Sequence, residues 1–340
     1  MMSDDPAVRG GRPGHARRSS WRGGRARVHH VRSAVMRLAS ACALAVSYAL
    51  ASSPPARAAI SVVDDAGATV TLAAPATRVV SLAPHVTELV YAAGGGTRLV
   101  GAVSYSDYPS AAKSLPRVGS NTAIDLERIV ALKPDLIVVW RHGNDSRAFE
   151  RLKALGIPIF HSEPHRLEDV ATNVERLGKL LDTSPTADAA ARAYRADIAH
   201  LRARYAQRPS VTVFYQVWDR PLMTLNGTHI VSDVIALCGG RNVFGELAPL
   251  VPTVSTEAVL AANPEAIVTA KAGATKPDAP LPSLDAWRAW PTLTAVARGN
   301  LFAIDGDLIN RPGPRLAQGA AQLCEDLELA RSRQPQAASH

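Results

Sequence analysis

The chain has 340 residues, of which 47% are hydrophobic, and a formal net charge of +8 at pH 7. All of this excess lies in residues 1–58, which contain ten Arg and two Asp, so the remaining residues, with 28 basic and 28 acidic side chains, are close to neutral. The high overall charge therefore gives no support to nucleic-acid binding by the folded part of the protein.

The first predicted element is a secretory signal peptide. From Met36 the sequence reads MRLASACALAVSYALASSPPARAA, with one Arg near its start, an apolar stretch too short to span a bilayer, and small residues at Ala56 and Ala58. We predict that residues 1–58 are a leader and signal peptide, that translation starts at Met36 and that cleavage follows Ala58. Cys42 lies early in the apolar stretch, whereas a lipid-anchored protein usually places its Cys at the end, so the pattern favours a cleaved, exported protein.

An α/β lobe is expected over residues 59–165. The segment SVVDDAGATVTL at 61–72 alternates around an Asp-Ala-Gly turn, which is typical of a β-hairpin. Four apolar runs follow, each leading into a helical pattern. Because they lack a polar alternate face, they favour strands of a parallel sheet that is covered on both sides. The runs are RVVSLAP, RLVGAVS, DLIVVW and IPIFHS.

A helical stretch, residues 166–209, separates this lobe from a second one. It contains two helical patterns around Thr183-Ser184-Pro185, and the second, ADAAARAYRADIAHLRARYAQ, has no Gly or Pro. The β/α alternation resumes at 210–331 with SVTVFYQV, EAIVTA, LFAID and a final helix from about 314 to 331, and residues 332–340 form a tail. We therefore predict two similar α/β lobes with mostly parallel sheets, joined by a long bridging helix.

One short module occurs twice: DLERIVALKPDLIVVW at 125–140 and STEAVLAANPEAIVTA at 255–270. In each copy an N-cap residue starts a helix, a Pro ends it and a strand follows. The predicted apolar stripes are Leu126, Ile129 and Val130 in the first copy and Thr256, Val259 and Leu260 in the second. Glu127 and Glu257 lie in the first turns, off the stripes, where a carboxylate faces solvent and favours the helix dipole. The repetition predicts two equivalent lobes, each with one exposed glutamate.

In these features the chain resembles the periplasmic cobalamin-binding proteins of bacterial ABC importers, within a class of two-lobed binding proteins that also serves ferric siderophores and haem. The resemblance covers residues 77–330. It is carried by SLAPHVTELVYAAG, SYSDYP, LERIVALKPDLIVVWRHGN, CGGRNVF, VSTEAVLAANPEAIV and RPGPRLAQGAAQLC. It implies a periplasmic binding protein without enzymatic activity or cofactor. Cobalamin or a related corrinoid would be the transported ligand, held in a cleft between the lobes.

The resemblance also implies roles for individual residues. Glu127 and Glu257 match glutamates that meet arginine pockets on the two halves of a dimeric permease, which works with ATPase subunits. Cys238 and Cys324 match a cysteine pair that forms a disulfide, as expected for an exported protein. The ligand-binding residues carried over are Tyr105, Trp140, Asp307, Arg311 and Trp218.

The sequence departs from this family at two aromatic positions. Cobalamin-binding members place a Trp six residues before each docking glutamate, where this chain has Asn121 and Val251. The ligand could therefore be a different corrinoid or another large chelate. A haem carrier of the same class is the nearest alternative and would need His85 or Tyr105 as an axial ligand. A ferric-siderophore carrier, which would need further Arg and Tyr residues in the cleft, also stays open.

Two more distant functions find little support. A zinc carrier would need several His residues with a common spacing, and His142, His161, His165 and His229 have none. An enzyme on a similar α/β scaffold would need a catalytic motif. The chain has no Gly-x-Ser-x-Gly, phosphate loop or Gly-x-Gly-x-x-Gly in the right setting, and a Pro interrupts HSEPH at 161–165.

Overall fold

The computed structural model describes residues 59–120, 123–140, 146–271 and 284–335. The predicted leader and signal peptide, with Cys42, lie outside the described residues, as do Asn121 and His142. In the described part of the chain, no helix is both long and apolar enough to cross a membrane.

The described chain begins with the predicted hairpin. Strand β1 (Ile60–Val63) pairs antiparallel with β2 (Thr69–Leu72). The Asp64 side chain closes the turn, since its Oδ1 accepts hydrogen bonds from the backbone N–H groups of Ala66 at 3.0 Å and Ala68 at 2.9 Å.

The N-terminal lobe is built on a four-stranded parallel sheet with the order β4-β3-β5-β6. Every residue of β3 and β5 is buried, as the continuous apolar runs predict. The strands are β3 (Val79–Ser81), β4 (Leu99–Ala102), β5 (Leu136–Val139) and β6 (Ile159–His161). The helices of this lobe are α1 (Pro84–Ala92), α2 (Leu126–Ala131) and α3 (Ser146–Ala154), with short 3₁₀ helices at Gly96–Arg98 and Ser110–Ser114.

Two packed helices follow, α4 (Leu167–Leu180) and α5 (Ser184–Tyr205). They approach closely at Gly178, where an added Cβ would lie 2.3 Å from the Ala187 Cβ. With 22 residues, α5 is about 33 Å long. Thr183, just before it, donates to the Ala93 carbonyl of the N-terminal lobe at 2.5 Å, and Arg208, just after it, donates to Glu328 near the C-terminus at 3.1 Å. Helix α5 is thus the predicted bridge.

The C-terminal lobe repeats the first sheet. Its four parallel strands have the order β10-β7-β11-β12, so first, second, third and fourth strands occupy the same places in both lobes. The strands are β7 (Val211–Gln216), β8 (Trp218–Asp219), β9 (Leu222–Met223), β10 (Gly240–Asn242), β11 (Ala266–Lys271) and β12 (Leu301–Asp305), with β8 and β9 forming a separate antiparallel hairpin. The helices are α6 (Ile230–Leu237), α7 (Thr256–Ala262), α8 (Thr294–Ala297), α9 (Gly306–Ile309) and α10 (Leu316–Ser332), with a 3₁₀ helix at Asp285–Ala289.

The two lobes share a hydrophobic core. One cluster of buried side chains extends from Val62 in the first strand to Ala330 in the last helix, and each lobe adds a smaller cluster of its own. Cys238 and Cys324 form the predicted disulfide, which joins the end of α6 to α10. The exact lobe boundaries at 165, 209 and 331 stay predictions.

The repeated module forms the same local structure twice. The Asp125 side chain accepts from the Arg128 N–H at 3.0 Å, and the Ser255 side chain accepts from the Ala258 N–H at 3.2 Å. Each helix is followed by a left-handed residue directly before the Pro, Lys133 with φ 47° and Asn263 with φ 41°. These caps and stops confirm the predicted module.

The predicted apolar stripe of the first module is wrong at one position. Ile129 is fully buried, but Val130 is 47% exposed. Helix α2 has only six residues and buries only Ile129, so it presents a narrower face to the sheet than the i, i+3, i+4 pattern implies. In the second module Val259 is fully buried and Leu260 packs against the core from a half-buried position.

Candidate ligand-binding cleft

A cavity of about 280 Å³ lies between the carboxyl ends of the two parallel sheets. Trp140 directly follows β5 and Val217 directly follows β7, so both lobes contribute to its wall. Open α/β sheets place ligands at this edge. The lining residues are Trp140, Glu163, Pro164, His165, Val217, Leu225, His229, Ile230, Leu250, Val251, Ile309, Asn310 and Pro312.

Trp140 is held in a fixed orientation in this wall. Its Nε1–H donates to Glu163 Oε1 at 3.1 Å, and its ring meets the His85 ring edge-on with centroids 5.3 Å apart. Glu163 is held in turn, because its backbone N–H donates to Asp65 Oδ2 at 2.6 Å. An aromatic face fixed in this way can receive a flat ligand with little loss of side-chain entropy.

His85 does not line the cavity. It is 2% exposed, and burial, aided by the positive charge of Arg311, lowers its pKa to about 3. The ring is therefore neutral at physiological pH. The haem alternative, in which His85 is an axial ligand, would require the ring to leave this buried position against Trp140.

An ion-pair network crosses between the lobes beside the cavity, and Arg311 is its centre. Arg311 Nη1 donates to Glu88 Oε1 at 3.2 Å and to Asp107 Oδ1 at 2.8 Å, and its Nη2 lies 2.8 Å from Asp307 Oδ1. Arg315 Nη2 donates to Glu88 Oε1 at 2.6 Å. Glu88 and Asp107 belong to the N-terminal lobe and the other residues to the C-terminal lobe, so these bonds hold the lobes together.

The network is largely removed from water. Glu88 is 3% exposed and Arg311 is 9% exposed. Burial opposes the charge of Arg311, but the hydrogen bond from Arg311 to Asp107 and the neighbouring carboxylates outweigh it and raise the Arg311 pKa. Removal of one partner would leave a buried charge uncompensated, which is strongly destabilising.

The other sequence-predicted ligand residues do not line the cavity. Trp218 directly follows Val217, is 37% exposed and donates its Nε1–H to the Arg220 carbonyl at 3.1 Å. Asp307 and Arg311 flank the lining residues Ile309 and Asn310 and bond to each other. Tyr105, with φ 64° and 48% exposure, is two residues from Asp107, which bonds to Arg311. The ligand role of all five residues stays a prediction.

Sequence reasoning missed most of the cavity wall. Glu163, Pro164 and His165 follow β6 and could have been found from their place at the carboxyl edge of the sheet. Leu225 and Leu250 carry no such signal, because they meet only through pairing of two loops: the Thr224 N–H donates to the Pro252 carbonyl and the Asn226 N–H to the Leu250 carbonyl, both at 3.0 Å. Val251, at a position where a Trp is expected from the resemblance to cobalamin-binding proteins, lies in the same wall.

The zinc alternative gains nothing from the structure. His165 and His229 both line the cavity. Within the ranges that the structure describes, however, no group of three or more His, Cys, Asp or Glu side chains is placed to hold a metal ion.

Glu127 and Glu257 are exposed in the first turns of α2 and α7, as predicted. Each helix ends next to the start of the third strand of its sheet, β5 or β11, so its first turn lies toward the carboxyl edge, where the cavity is. The pKa of Glu257 is lowered by hydrogen bonds from its own backbone N–H and from the Ser255 hydroxyl. Both carboxylates are thus accessible to solvent on the side of the cleft.

Comparison with known proteins places this geometry in a family. The model of the periplasmic binding protein family matches residues 79–308. A vitamin B12-binding protein of Vibrio parahaemolyticus is 36% identical over 234 residues, 68% of this chain and 82% of that protein. A vitamin B12-binding protein of Yersinia pestis is 38% identical over 245 residues, 72% of this chain and 83% of that protein.

Solved structures show the same likeness. The periplasmic vitamin B12 binding protein BtuF of Vibrio cholerae aligns with a TM-score of 0.68 and 38% identity, covering 76% of this chain and 98% of that one. The periplasmic heme-binding protein RhuT of Roseiflexus aligns with a TM-score of 0.64 and 23% identity, over 76% of this chain and 99% of that one, and shares the fold.

Proposed function

The chain belongs to the periplasmic binding protein family, and we propose that it captures cobalamin or a related corrinoid in its interlobe cleft and delivers it to the permease of an ABC importer. The relatives named above are binding proteins and not enzymes, so the cleft serves capture without chemistry. The observation that carries the proposal is Trp140, fixed in the wall of a cavity between the lobes, in a chain 36–38% identical to vitamin B12-binding proteins.

The size of the cavity indicates how such a ligand would bind. Drug-sized molecules occupy pockets of about 300–1,000 Å³, and a corrinoid is larger than a drug-sized molecule. A cavity of about 280 Å³ can therefore hold only one edge of it. Trp218 directly follows the lining residue Val217, and Tyr105 lies two residues from Asp107, which bonds to Arg311. Both rings are exposed and would cover the part of the corrin that stays outside.

Arg311 and Asp307 would contact the ligand only if their present bonds are exchanged. Arg311 is shared among three carboxylates, two of them from the other lobe. A ligand edge rich in amides offers carbonyl oxygens that can accept from Arg311 and N–H groups that can donate to Asp307. These hydrogen bonds would take the place of the present ion pairs. We expect this exchange to loosen the interlobe network as the ligand enters.

Delivery would use the two glutamates. Glu127 and Glu257 are exposed at equivalent places of two equivalent lobes, so they fit a partner with two equivalent surfaces, such as a dimeric permease with its ATPase subunits. Arginine is the expected partner, because its planar fork binds a carboxylate bidentately. Since both helices start toward the cleft edge, a permease bound to both glutamates would lie over the cleft and receive the released ligand.

Calorimetric titration of the mature protein with cyanocobalamin tests the cargo, with haemin titrated in parallel. We expect submicromolar binding of cyanocobalamin, a free energy of about −8 kcal/mol or better. Tight binding of haemin with no response to cyanocobalamin would contradict the proposal and assign the cleft to haem. Tyr105 would then be the first axial ligand to test, because His85 is buried.

A further inference from the structure

His229 occupies a special place in the cavity wall. It directly precedes α6 and caps the first turn of that helix. It lines the cavity from the C-terminal lobe, whereas Trp140 lines it from the N-terminal lobe. Its Nδ1 accepts the Val231 backbone N–H at 3.2 Å. One ring nitrogen is thus used inside the protein, which leaves Nε2 as the nitrogen that a ligand can reach.

This cap also determines which nitrogen carries the proton. A neutral imidazole has one N–H and one lone pair. Because the lone pair of Nδ1 is used to accept the Val231 N–H, the proton is on Nε2. Nε2 can donate a hydrogen bond, but it has no lone pair to offer to a metal ion. Burial, followed by the nearby His165, lowers the His229 pKa to about 4, which keeps the ring in this neutral form at physiological pH.

The loop before His229 holds the ring in position. The Asn226 Oδ1 accepts from both the backbone N–H of Thr228, at 3.0 Å, and its hydroxyl, at 2.8 Å. The Ser232 hydroxyl donates to the Asn226 carbonyl at 2.7 Å, and the Gly227 N–H donates to the Gly245 carbonyl at 2.8 Å. The His229 ring therefore follows a turn that hydrogen bonds fix to the chain on either side of it.

Other polar groups of the wall already have partners within the protein. The Trp140 Nε1–H is given to Glu163, and Asn310 Oδ1 accepts the Tyr215 hydroxyl at 2.9 Å. Around His229 the wall is mostly apolar, with Leu225, Ile230 and Leu250 beside His165. A hydrogen bond made there would be sheltered from water and thus more discriminating than one on the surface.

We propose that His229 is a specificity-determining donor of the cleft: its Nε2–H bonds an oxygen acceptor on the edge of the bound corrinoid and does not ligate the metal. This inference rests on the proposed function and names how the same site selects its ligand. The acceptor is an amide carbonyl of a corrin side chain or a phosphate oxygen of the nucleotide loop, which share the required chemistry.

Calorimetry with two ligands and three variants tests this proposal. His229→Ser keeps a side-chain oxygen for the helix cap and removes the Nε2–H donor, whose place the short hydroxyl does not reach, whereas His229→Asn keeps both a cap oxygen and a shorter N–H donor. His200→Ser, at an exposed position of α5, is the matched control. We expect His229→Ser to weaken cyanocobalamin binding about 5- to 30-fold, with an unchanged melting temperature, and His229→Asn to recover part of the loss.

Dicyanocobinamide, which lacks the nucleotide loop, distinguishes the two acceptors. An equal loss for both ligands would assign the bond to a corrin amide, and a loss for cyanocobalamin alone would assign it to the nucleotide loop. Wild-type affinity of His229→Ser for cyanocobalamin would overturn the inference and leave the proposed function intact. Failure of the wild-type protein to bind any corrinoid would instead overturn the proposed function.

The visible spectrum of bound aquacobalamin gives a second readout, because replacement of the cobalt-bound water by an imidazole nitrogen changes that spectrum. We expect the protein-bound ligand to show no such change. A change that His229→Ser abolishes would show that Nε2 ligates cobalt and would overturn the inference.

Discussion

The modules at 125–140 and 255–270 are alike where they fold and different where they meet the cleft. Both have a capped helix, an exposed first-turn glutamate, a left-handed residue before a Pro and a buried strand. They differ at the end of the strand, where Trp140 lines the cavity and its counterpart Ala270 is buried in the core.

This difference separates two demands on the protein. Under the proposed function, a permease with two equivalent halves would require the same carboxylate at the same place in each lobe, which accounts for the shared beginning of the modules. Under the same proposal, one asymmetric ligand in the cleft would require different contacts from each side, which accounts for the different ends of the modules. The histidines show the same divergence: His85 at the start of α1 is buried behind Trp140, whereas His229 at the start of α6 faces the cavity.

The largest expected effect comes from removing the first-turn glutamate of both modules at once. Glu127→Ala combined with Glu257→Ala should weaken permease binding more than about 100-fold, because loss of one partner of an interfacial charge pair costs about 2–5 kcal/mol. Ligand affinity should stay at the wild-type value, since neither residue lines the cavity. Co-purification with the permease measures docking, and calorimetric titration with cyanocobalamin measures ligand affinity.

The matched control is Glu150→Ala, at an exposed position of α3 that has no counterpart in the repeated module. Normal docking by the double variant would return both glutamates to a helix-capping role. A much larger loss for one single variant than for the other would show that the two lobes do not contribute equally.

Acid should destabilise the folded protein through both buried histidines. Both have folded-state pKa values below the ordinary 6.5, about 3 for His85 and about 4 for His229, so the folded protein binds fewer protons than the unfolded chain. Stability is therefore highest above pH 6.5 and falls as the pH drops, by about 2 kcal/mol per histidine at pH 5. Urea unfolding at pH 7 and pH 5 should show a smaller loss for His85→Gln and for His229→Asn than for the wild type. An unchanged pH dependence in either variant would contradict its assignment as a buried neutral ring.

Substitutions in the cavity wall test the ligand-binding side of the comparison. Trp140→Ala should weaken cyanocobalamin binding at least 10-fold, because both the buried area and the ring contact, about 0.5–1.5 kcal/mol, are lost. Val251→Trp introduces into the cavity wall the aromatic residue expected from the resemblance to cobalamin-binding proteins, and it should tighten binding by a similar ring contribution. Calorimetry measures both changes. Weaker binding by Val251→Trp would show that the cleft is shaped for a ligand other than cobalamin.

The smallest expected effect concerns the two caps. Asp125→Ala and Ser255→Ala each remove one bond to a helix N–H and should lower the free energy of unfolding by about 1 kcal/mol. Asp125→Ala should cost slightly more, because its carboxylate also favours the helix dipole. Urea unfolding of both variants checks this. A loss of docking without loss of stability would show that the caps contact the partner directly.

The sequence predicted the fold because its signals are local. The apolar runs marked β3, β5 and β11, and Asp125, Ser255 and the two prolines marked the helices between them. The position of Trp140 in the cavity wall could be predicted because the residue after a parallel strand lies at the edge of the sheet where ligands bind.

The remaining site depends on distant contacts. Glu88 and Arg311 are 223 residues apart in sequence, and nothing in either neighbourhood shows that they bond to each other and not to water or ligand. The role of His229 likewise depends on a cap and on two loops that meet only in the folded chain.

A crystal structure of the mature protein with cyanocobalamin bound tests the central claim most directly, because it shows which parts of the two modules meet the ligand. We expect the corrin between the lobes, with one edge against Trp140 and His229, and Glu127 and Glu257 uncovered. A corrin bound elsewhere, or one that covers either glutamate, would contradict the division of the modules into a docking end and a ligand end.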